Sequence, residues 1–264
     1  MKVLFTSDLD RTLIFSERTK LANSNYQCIE EYEGRNVSYI STTTMERLKK
    51  LHGILDFVPV TTRSYQQYKR LTLFQRNLQP KIAIAANGGV IIRNGEIDEV
   101  WQQQINQKMF ELPLLYSQIQ AKFSAVFNAA YVLRIYEVEQ LFFVLIIDNE
   151  KLPPLEIQQL QMELEQFDWT CCLLGRKIYI LPRFLTKGAA VQYIKSQNEY
   201  NWHVAAGDSE LDLSMLELAD KCFIPQHGDL VKTTDEHGFP IMEERSSNFS
   251  DACLQEIIES CTQK

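Results

Sequence analysis

Short apolar segments alternate with amphipathic helices along most of this chain, and that alternation admits few folds besides an α/β one built on a parallel sheet. Val3 to Thr6 reads as a strand that runs into acidic residues. Thr42 to Leu55 reads as a helix, with Met45, Leu48, Leu51 or His52, and Leu55 recurring on one face. Phe57 to Thr61 is the next strand, although Pro59 cannot donate to a central ladder. A helix over Tyr65 to Leu78 leads to a third strand, Lys81 to Ala86, closed by the turn signal Asn87-Gly88-Gly89. The same pattern resumes at Lys187 with a helix, a strand at Trp202 to Ala206, a helix from Ser209 to Ala219 and a strand at Lys221 to Ile224. Ser250 can cap a closing helix that carries Leu254, Ile257, Ile258 and Cys261.

Between these halves the pattern differs. Val90 to Trp101 looks like a hairpin turning at Asn94-Gly95, followed by one helix over roughly 103–123. Strands at Tyr131 to Val138 and Leu141 to Asp148 follow each other with no helix between them. Pro153-Pro154 opens a helix reaching about Phe167, and a second hairpin, Trp169 to Leu181, turns near Gly175. Hairpins require antiparallel pairing. The middle of the chain therefore reads as an α+β unit inserted between the halves of a parallel sheet, and 264 residues suffice for both.

Hydrophobic residues make up 45% of the chain, enough for a sizeable core, and the formal net charge of −7 is spread along it. No basic stripe suited to nucleic acid is present. The longest apolar run, Leu141 to Ile147, is strand-sized, too short to span a bilayer. The run after Met1-Lys2 is too short for a signal core, and none of the six cysteines has zinc-ligand spacing. The expectation is a cytoplasmic protein with reduced cysteines that binds neither membrane nor nucleic acid.

Four segments carry residues suited to chemistry. In Thr6-Ser7-Asp8-Leu9-Asp10-Arg11-Thr12, two carboxylates leave the carboxyl end of a strand, the edge where open α/β sheets bind ligands. Close carboxylates need a cation or a shared proton, and a hard ion such as Mg²⁺ takes carboxylate and carbonyl oxygens readily. One carboxylate could then attack phosphorus while the other exchanges protons. Taken alone, the pair is equally consistent with a solvated turn. Gly207-Asp208-Ser209-Glu210-Leu211-Asp212 follows a strand and opens a helix, with Asp208 and Asp212 four apart on one helical face. A helix cap would account for Asp208 but not for Asp212. Thr61-Thr62-Arg63 offers hydroxyl and backbone N–H groups at a strand end, suited either to a phosphoryl oxygen or to capping the next helix. Lys187 starts a helix, the wrong end for a cation beside the helix dipole, and nearby carboxylates plus phosphate would explain it.

Together and in this order, the segments resemble the haloacid dehalogenase superfamily over essentially the whole chain. Asp8-Leu9-Asp10-Arg11-Thr12 is similar to its first motif, Thr61 to the second-motif threonine, Lys187 to the third-motif lysine, and Gly207-Asp208 with Asp212 to the fourth motif. Cof-like, sucrose-phosphate phosphatase-like and mannosyl-3-phosphoglycerate phosphatase-like members are the nearest in pattern. The resemblance implies a Rossmann-like parallel-sheet core over residues 1–87 and 183–264, with a C2-type cap over 88–182 that selects substrate. It implies a Mg²⁺-dependent phosphatase acting on a small phosphate ester, for example a sugar phosphate. Asp8 would be the nucleophile and Asp10 the acid/base. Thr61, Thr62 and Lys187 would bind phosphate, and Asp8, Asp10 (through its backbone carbonyl), Asp208 and Asp212 would hold the metal. A phosphotransferase or phosphomutase on the same chemistry, or a binding protein that kept the fold, are the competing classes.

The chain departs from the pattern at Arg11 and Thr62, where many relatives have Gly, and at Leu211, where Asn is frequent. Leu211 is expected on an apolar helix face with Met215 and Leu218. Tyr26 to Ile40 reads as a hairpin flap turning at Glu33-Gly34-Arg35-Asn36. In the inserted unit, alternation puts Val132, Arg134 and Tyr136 on one strand face. Arg134 and the hairpin-tip Arg176 are the candidates for reading the substrate's leaving group, with ordinary surface cations as the alternative.

Overall fold

The structure is a computed structural model that describes residues 2–22, 24–232 and 238–262. It divides into two compact units, residues 1–97 with 187–264, and residues 98–186. The first unit begins with β1 (Val3–Ser7), the hairpin β2 (Tyr26–Tyr32) and β3 (Arg35–Ser41), α1 (Thr42–Leu51), β4 (Asp56–Pro59), α2 (Tyr65–Lys69), β5 (Ile82–Ala85), β6 (Val90–Arg93) and β7 (Glu96–Ile97). The second unit holds α3 (Glu99–Phe110), α4 (Tyr116–Lys122), α5 (Ser124–Phe127), β8 (Val132–Val138), β9 (Phe142–Ile147), α6 (Glu156–Glu165), β10 (Trp169–Leu174) and β11 (Lys177–Pro182). The chain returns to the first unit with α7 (Lys187–Ser196), β12 (Trp202–Ala206), α8 (Leu213–Leu216), β13 (Lys221–Pro225), β14 (Ile241–Met242) and α9 (Ser247–Thr262).

The first unit is built on a parallel sheet in the order β14-β13-β12-β1-β4. Strand β1 lies inside it and is buried along its whole length, which is why it reads as an unbroken apolar run rather than an alternating one. Beyond β4 a single parallel bridge, Val60 to Ile84, leads to β5, which pairs antiparallel with β6. Pro59 accounts for this thin junction. Val60 N–H donates to Ser7 O on β1 and Thr61 N–H to Ile84 O, so the N–H that Pro59 lacks belongs on the β5 side. The turn between β6 and β7 has two successive left-handed residues, Asn94 (φ 50°) and Gly95 (φ 90°), the geometry that a tight hairpin demands.

Several helices are shorter than the periodicity predicts. The segment 65–78 splits into α2 and a π-turn, Leu73–Asn77. The single helix expected over 103–123 is two, α3 and α4, because Pro113 cannot continue α3 and disfavours helical geometry at its predecessor. Ser250 does not cap α9, which already starts at Ser247; its hydroxyl instead donates to Thr12 O at 2.6 Å.

In the second unit the antiparallel sheet, ordered β10-β11-β9-β8, packs one face on helices. Phe143, Leu145, Ile147, Ile178 and Ile180 meet Ile119, Phe123, Phe127, Leu160 and Leu164 in that core. The ladder of β8 slips between Val132 and Arg134, which corrects the strict alternation expected there. Val132 pairs with Ile147 and Ile135 with Leu145, both core positions, whereas Arg134 and Tyr136 pair with Ile146 and Val144. The bulge therefore separates Val132 from Arg134 and keeps Arg134 off the helix-packed face.

Candidate active site

Asp8 leaves β1 between two neighbouring strand ends. Its N–H donates to Ala206 O (2.9 Å) at the end of β12, while on the other side Val60 N–H donates to Ser7 O (2.8 Å) just before Thr61. The parallel register thus sets Asp8, Thr61 and the Gly207-Asp208 turn side by side at one sheet edge. Thr12 donates to Asp8 Oδ2 at 3.3 Å. Lys187, at the start of α7, is 1% exposed, and its ammonium donates at 2.5 Å to both Asp8 Oδ1 and Asp212 Oδ1. Gly188 lets α7 approach this closely: a Cβ there would lie 2.2 Å from Ser214 O, whose own side chain accepts Gly188 N–H at 3.0 Å.

Asp212 is the structural hub. It does not share an α-helical face with Asp208, as the spacing predicts, because residues 210–212 form a 3₁₀ turn. Its Oδ2 accepts from Asp208 N–H (3.0 Å), Ser209 N–H (2.9 Å) and the Ser209 hydroxyl (3.0 Å), which leaves Oδ1 to Lys187. The same turn leaves Leu211 half-buried, while Met215 and Leu216 take the fully buried positions. Gly207 is required by this packing, since a Cβ would sit 2.5 Å from Asp212 Cβ.

Carboxylate oxygens of Asp8, Asp208 and Asp212 lie within 4.8 Å of one another, and all three residues are buried. Burial pushes the Asp8 carboxyl up to about 7; Lys187 opposes the rise, and Asp212 and Asp10 add to it. Asp208 is raised well above the carboxylate range by burial, with Asp8 and Asp212 reinforcing it and Arg11 and Lys187 opposing. Burial works against the Lys187 charge, but Asp212 and Asp8 outweigh it and raise its pKa. Asp208 Oδ2 is buried and accepts no hydrogen bond; Arg11 Nε stands 3.3 Å away. A crowded, desolvated set of hard oxygens with one of them lacking a donor fits a hard divalent cation. Asp208 Oδ2 has no donor and each Asp8 oxygen accepts a single one, whereas Asp212 Oδ2 already accepts three.

Residues that the sequence reading did not single out complete the site. Arg63 grips Asp10 with two bonds, Nε to Oδ2 (2.7 Å) and Nη2 to Oδ1 (2.8 Å). Arg63 is held in turn by Glu30 of the β2–β3 hairpin, at 2.6 Å, and by Ser38, at 2.9 Å. Glu30 is buried, and also accepts from Arg70 (3.0 Å) and Ser38 (2.7 Å). The expected flap is thus tied to the acid/base candidate by a chain of charged bonds. Thr61 is fully buried and its hydroxyl accepts Arg63 N–H at 3.1 Å. The helix-cap role open to Thr61 and Thr62 belongs to Ser64, whose side chain accepts Gln67 N–H. Arg134 and Arg176 lie in the second unit; Arg134 donates to Tyr136 Oη (2.9 Å) and Arg176 to Ile147 O (3.3 Å). Arg63 was visible beside Thr61, but no periodicity in the hairpin marks Glu30, since bulges at Cys28 to Glu31 break its alternation.

A parallel sheet that carries this arrangement of Asp8, Asp10, Thr61, Lys187, Asp208 and Asp212 at its carboxyl edge defines a haloacid dehalogenase-type phosphoric monoester hydrolase. The model of the family described as sucrose-6F-phosphate phosphohydrolase matches residues 1–224, and the chain belongs to that family. Solved structures share the fold. The sucrose-phosphatase of Synechocystis sp. PCC6803, determined with sucrose and phosphate, is 15% identical over 97% of this chain and 96% of that one, at a TM-score of 0.68. A subclass IIB sugar phosphatase of the haloacid dehalogenase superfamily is 14% identical over 91% and 92% of the two chains, with a TM-score of 0.61. A haloacid dehalogenase-like hydrolase from Bacteroides thetaiotaomicron is 13% identical over 97% and 100%, at 0.59. No curated protein matches the chain significantly by sequence. Among the described residues, no helix is long and apolar enough to cross a membrane.

Proposed function

We propose that this chain hydrolyses the phosphate monoester of a sugar phosphate, with Asp8 as covalent nucleophile and Mg²⁺ as cofactor. The observation that carries the reading is Lys187 bridging Asp8 and Asp212 beside an Asp208 oxygen that lacks a donor. Asp8 and Asp208, with the backbone carbonyl of Asp10, would hold the ion, and Asp212 would orient Asp208 and Lys187. When bound, the ion would supply neutralising charge for the transferring phosphoryl group.

Asp8 attacks phosphorus in line, forming an Oδ–P bond as the bond to the sugar oxygen breaks. Asp10 gives the departing oxygen its proton. It then takes a proton from the water that attacks the aspartyl phosphate, so that free phosphate leaves and Asp8 is regenerated. To deliver that first proton, Asp10 must give up at least one of its two bonds to Arg63. Lys187, with the hydroxyls and N–H groups of Thr61 and Thr62, stabilises the equatorial phosphoryl oxygens. The second unit, residues 98–186 rather than the 88–182 expected from the sequence, acts as the C2-type cap that selects the leaving group, with Arg134 and Arg176 as its readers. The family name and the Synechocystis relative make a sucrose phosphate the first substrate to assay.

A phosphate-release screen over sugar phosphates, nucleotides and phosphoglycerates, with Mg²⁺ and no added acceptor, tests this. Release from sugar phosphates that stops in excess chelator is expected. Full release in chelator would remove the metal. Turnover only with an added acceptor would make the protein a phosphotransferase.

A further inference from the structure

Arg11 sits between the two carboxylates of the first segment and adopts the left-handed region, at φ 68°. Such a backbone suits Gly and is unfavourable for a long side chain, so its contacts must hold it there. They are unusually directed. Nη1 donates to Asp229 Oδ2 at 3.0 Å, and Nη2 donates to His227 O at 2.6 Å. Nε faces Asp208 Oδ2, the buried oxygen with no hydrogen bond, at 3.3 Å.

The loop that receives Arg11 is itself fixed. Ser246 N–H donates to His227 Nδ1 (3.0 Å), so Nε2 carries the hydrogen and donates to Arg11 O at 2.7 Å. Leu230 N–H donates to Asp208 O at 3.2 Å, and a Cβ on Gly228 would lie 2.6 Å from that same oxygen. The guanidinium therefore stands as a fixed positive charge beside the carboxylate cluster.

We propose that Arg11 is an internal counter-cation that tunes the divalent-metal affinity of this site: it balances Asp208 when the ion is away and repels the ion when it binds. The inference rests on the reading of Asp8 and Asp208 as metal ligands. Replacing Arg11 removes a repulsion between a unit charge and a divalent ion and leaves Asp229 as an added attraction. Arg11 is 37% exposed, so the effect is screened towards that in water, and on the order of a ten-fold change in affinity follows. A low-affinity site of this kind would load only at high free metal and would release the ion readily.

The test is direct binding of Mn²⁺, followed by electron paramagnetic resonance of the free ion, to the metal-stripped full chain without substrate. The Arg11→Gln variant should bind about ten-fold more tightly than the wild type, and Arg11→Lys should stay close to it because it restores the charge. Raising the salt concentration should narrow the difference between wild type and Arg11→Gln, as screening requires. A merely structural Arg11 would loosen binding in both variants and show no such salt dependence, which would overturn the proposal. Unchanged affinity in Arg11→Gln would overturn it too, while loss of binding in Asp208→Asn would show that the metal reading itself survives. If the wild type binds no Mn²⁺, or Asp208→Asn binds it equally well, the metal reading falls and the proposal with it.

Discussion

Replacing Glu30 with Gln tests whether the β2–β3 hairpin is part of the machinery or an ornament on it. Glu30 accepts from Arg63 at 2.6 Å, from Arg70 at 3.0 Å and from Ser38 at 2.7 Å while fully covered. A hydrogen bond to a charged group contributes about 1 kcal/mol more than a neutral one, so neutralising the acceptor of two arginines removes about 2 kcal/mol. The amide must also turn an NH₂ group towards one guanidinium, which brings the expected loss to about 3 kcal/mol. A complete break of a buried pair costs about 3–5 kcal/mol. Glu30→Gln should stay at the lower end, because Arg63 keeps Asp10 and Arg70 reaches solvent. Urea unfolding of the wild type, Glu30→Gln, Arg70→Gln and the double variant measures this, with the coupling read from the cycle. The pH dependence has a definite sign. Burial alone would raise the Glu30 carboxyl, but the Arg63 charge and the bonds from Arg63, Ser38 and Arg70 hold it below its ordinary value. Its stabilisation is therefore present above the unfolded pKa and lost as pH falls through the folded one, so the penalty of the variant should shrink in acid. A change under about 0.5 kcal/mol at neutral pH would refute the reasoning.

Gly207→Ala should destabilise the protein by about 2 kcal/mol or more and abolish turnover, because the new Cβ falls 2.5 Å from Asp212 Cβ; thermal unfolding and phosphate release check it. Burial lowers the pKa of His203 to about 4, with a bond to Leu218 O opposing and Lys195 assisting. The unfolded chain takes up a proton near pH 6.5 that the folded one refuses, so about 3 kcal/mol of stability is lost as pH falls from about 6.5 to 4. His203→Gln should flatten that limb of a stability–pH curve. Arg134→Ala or Arg176→Ala should raise KM for the best sugar phosphate and leave p-nitrophenyl phosphate nearly unaffected; equal loss on both would withdraw the cap assignment.

The parallel sheet was legible because β1 and β12 are buried on both faces and their composition says so. The chemical residues were legible because they occupy strand ends and helix starts in a fixed order, which short-range pattern captures. What stayed hidden depends on long-range register. Glu30 becomes significant only when a bulged hairpin sets it against Arg63 and Arg70. Arg11 could be seen as a departure from Gly, yet its partners Asp229 and His227 lie more than two hundred residues away in sequence. Helical periodicity likewise extended the helices too far, because it is blind to Pro113 and to the 3₁₀ turn that Asp212 closes with its own side chain.

The most direct measurement is mass spectrometry of the Asp10→Asn variant after rapid acid quench with p-nitrophenyl phosphate and Mg²⁺. The nitrophenolate leaves without needing a proton, so attack by Asp8 proceeds, whereas hydrolysis of the adduct has lost the group that activates water. A single phosphoryl group on the peptide containing Asp8 is predicted, together with a stoichiometric burst of nitrophenolate, and neither should appear when Asp8 is also changed to Asn. Steady nitrophenolate release with no phosphoryl group on Asp8, or an adduct on another residue, would contradict the covalent account.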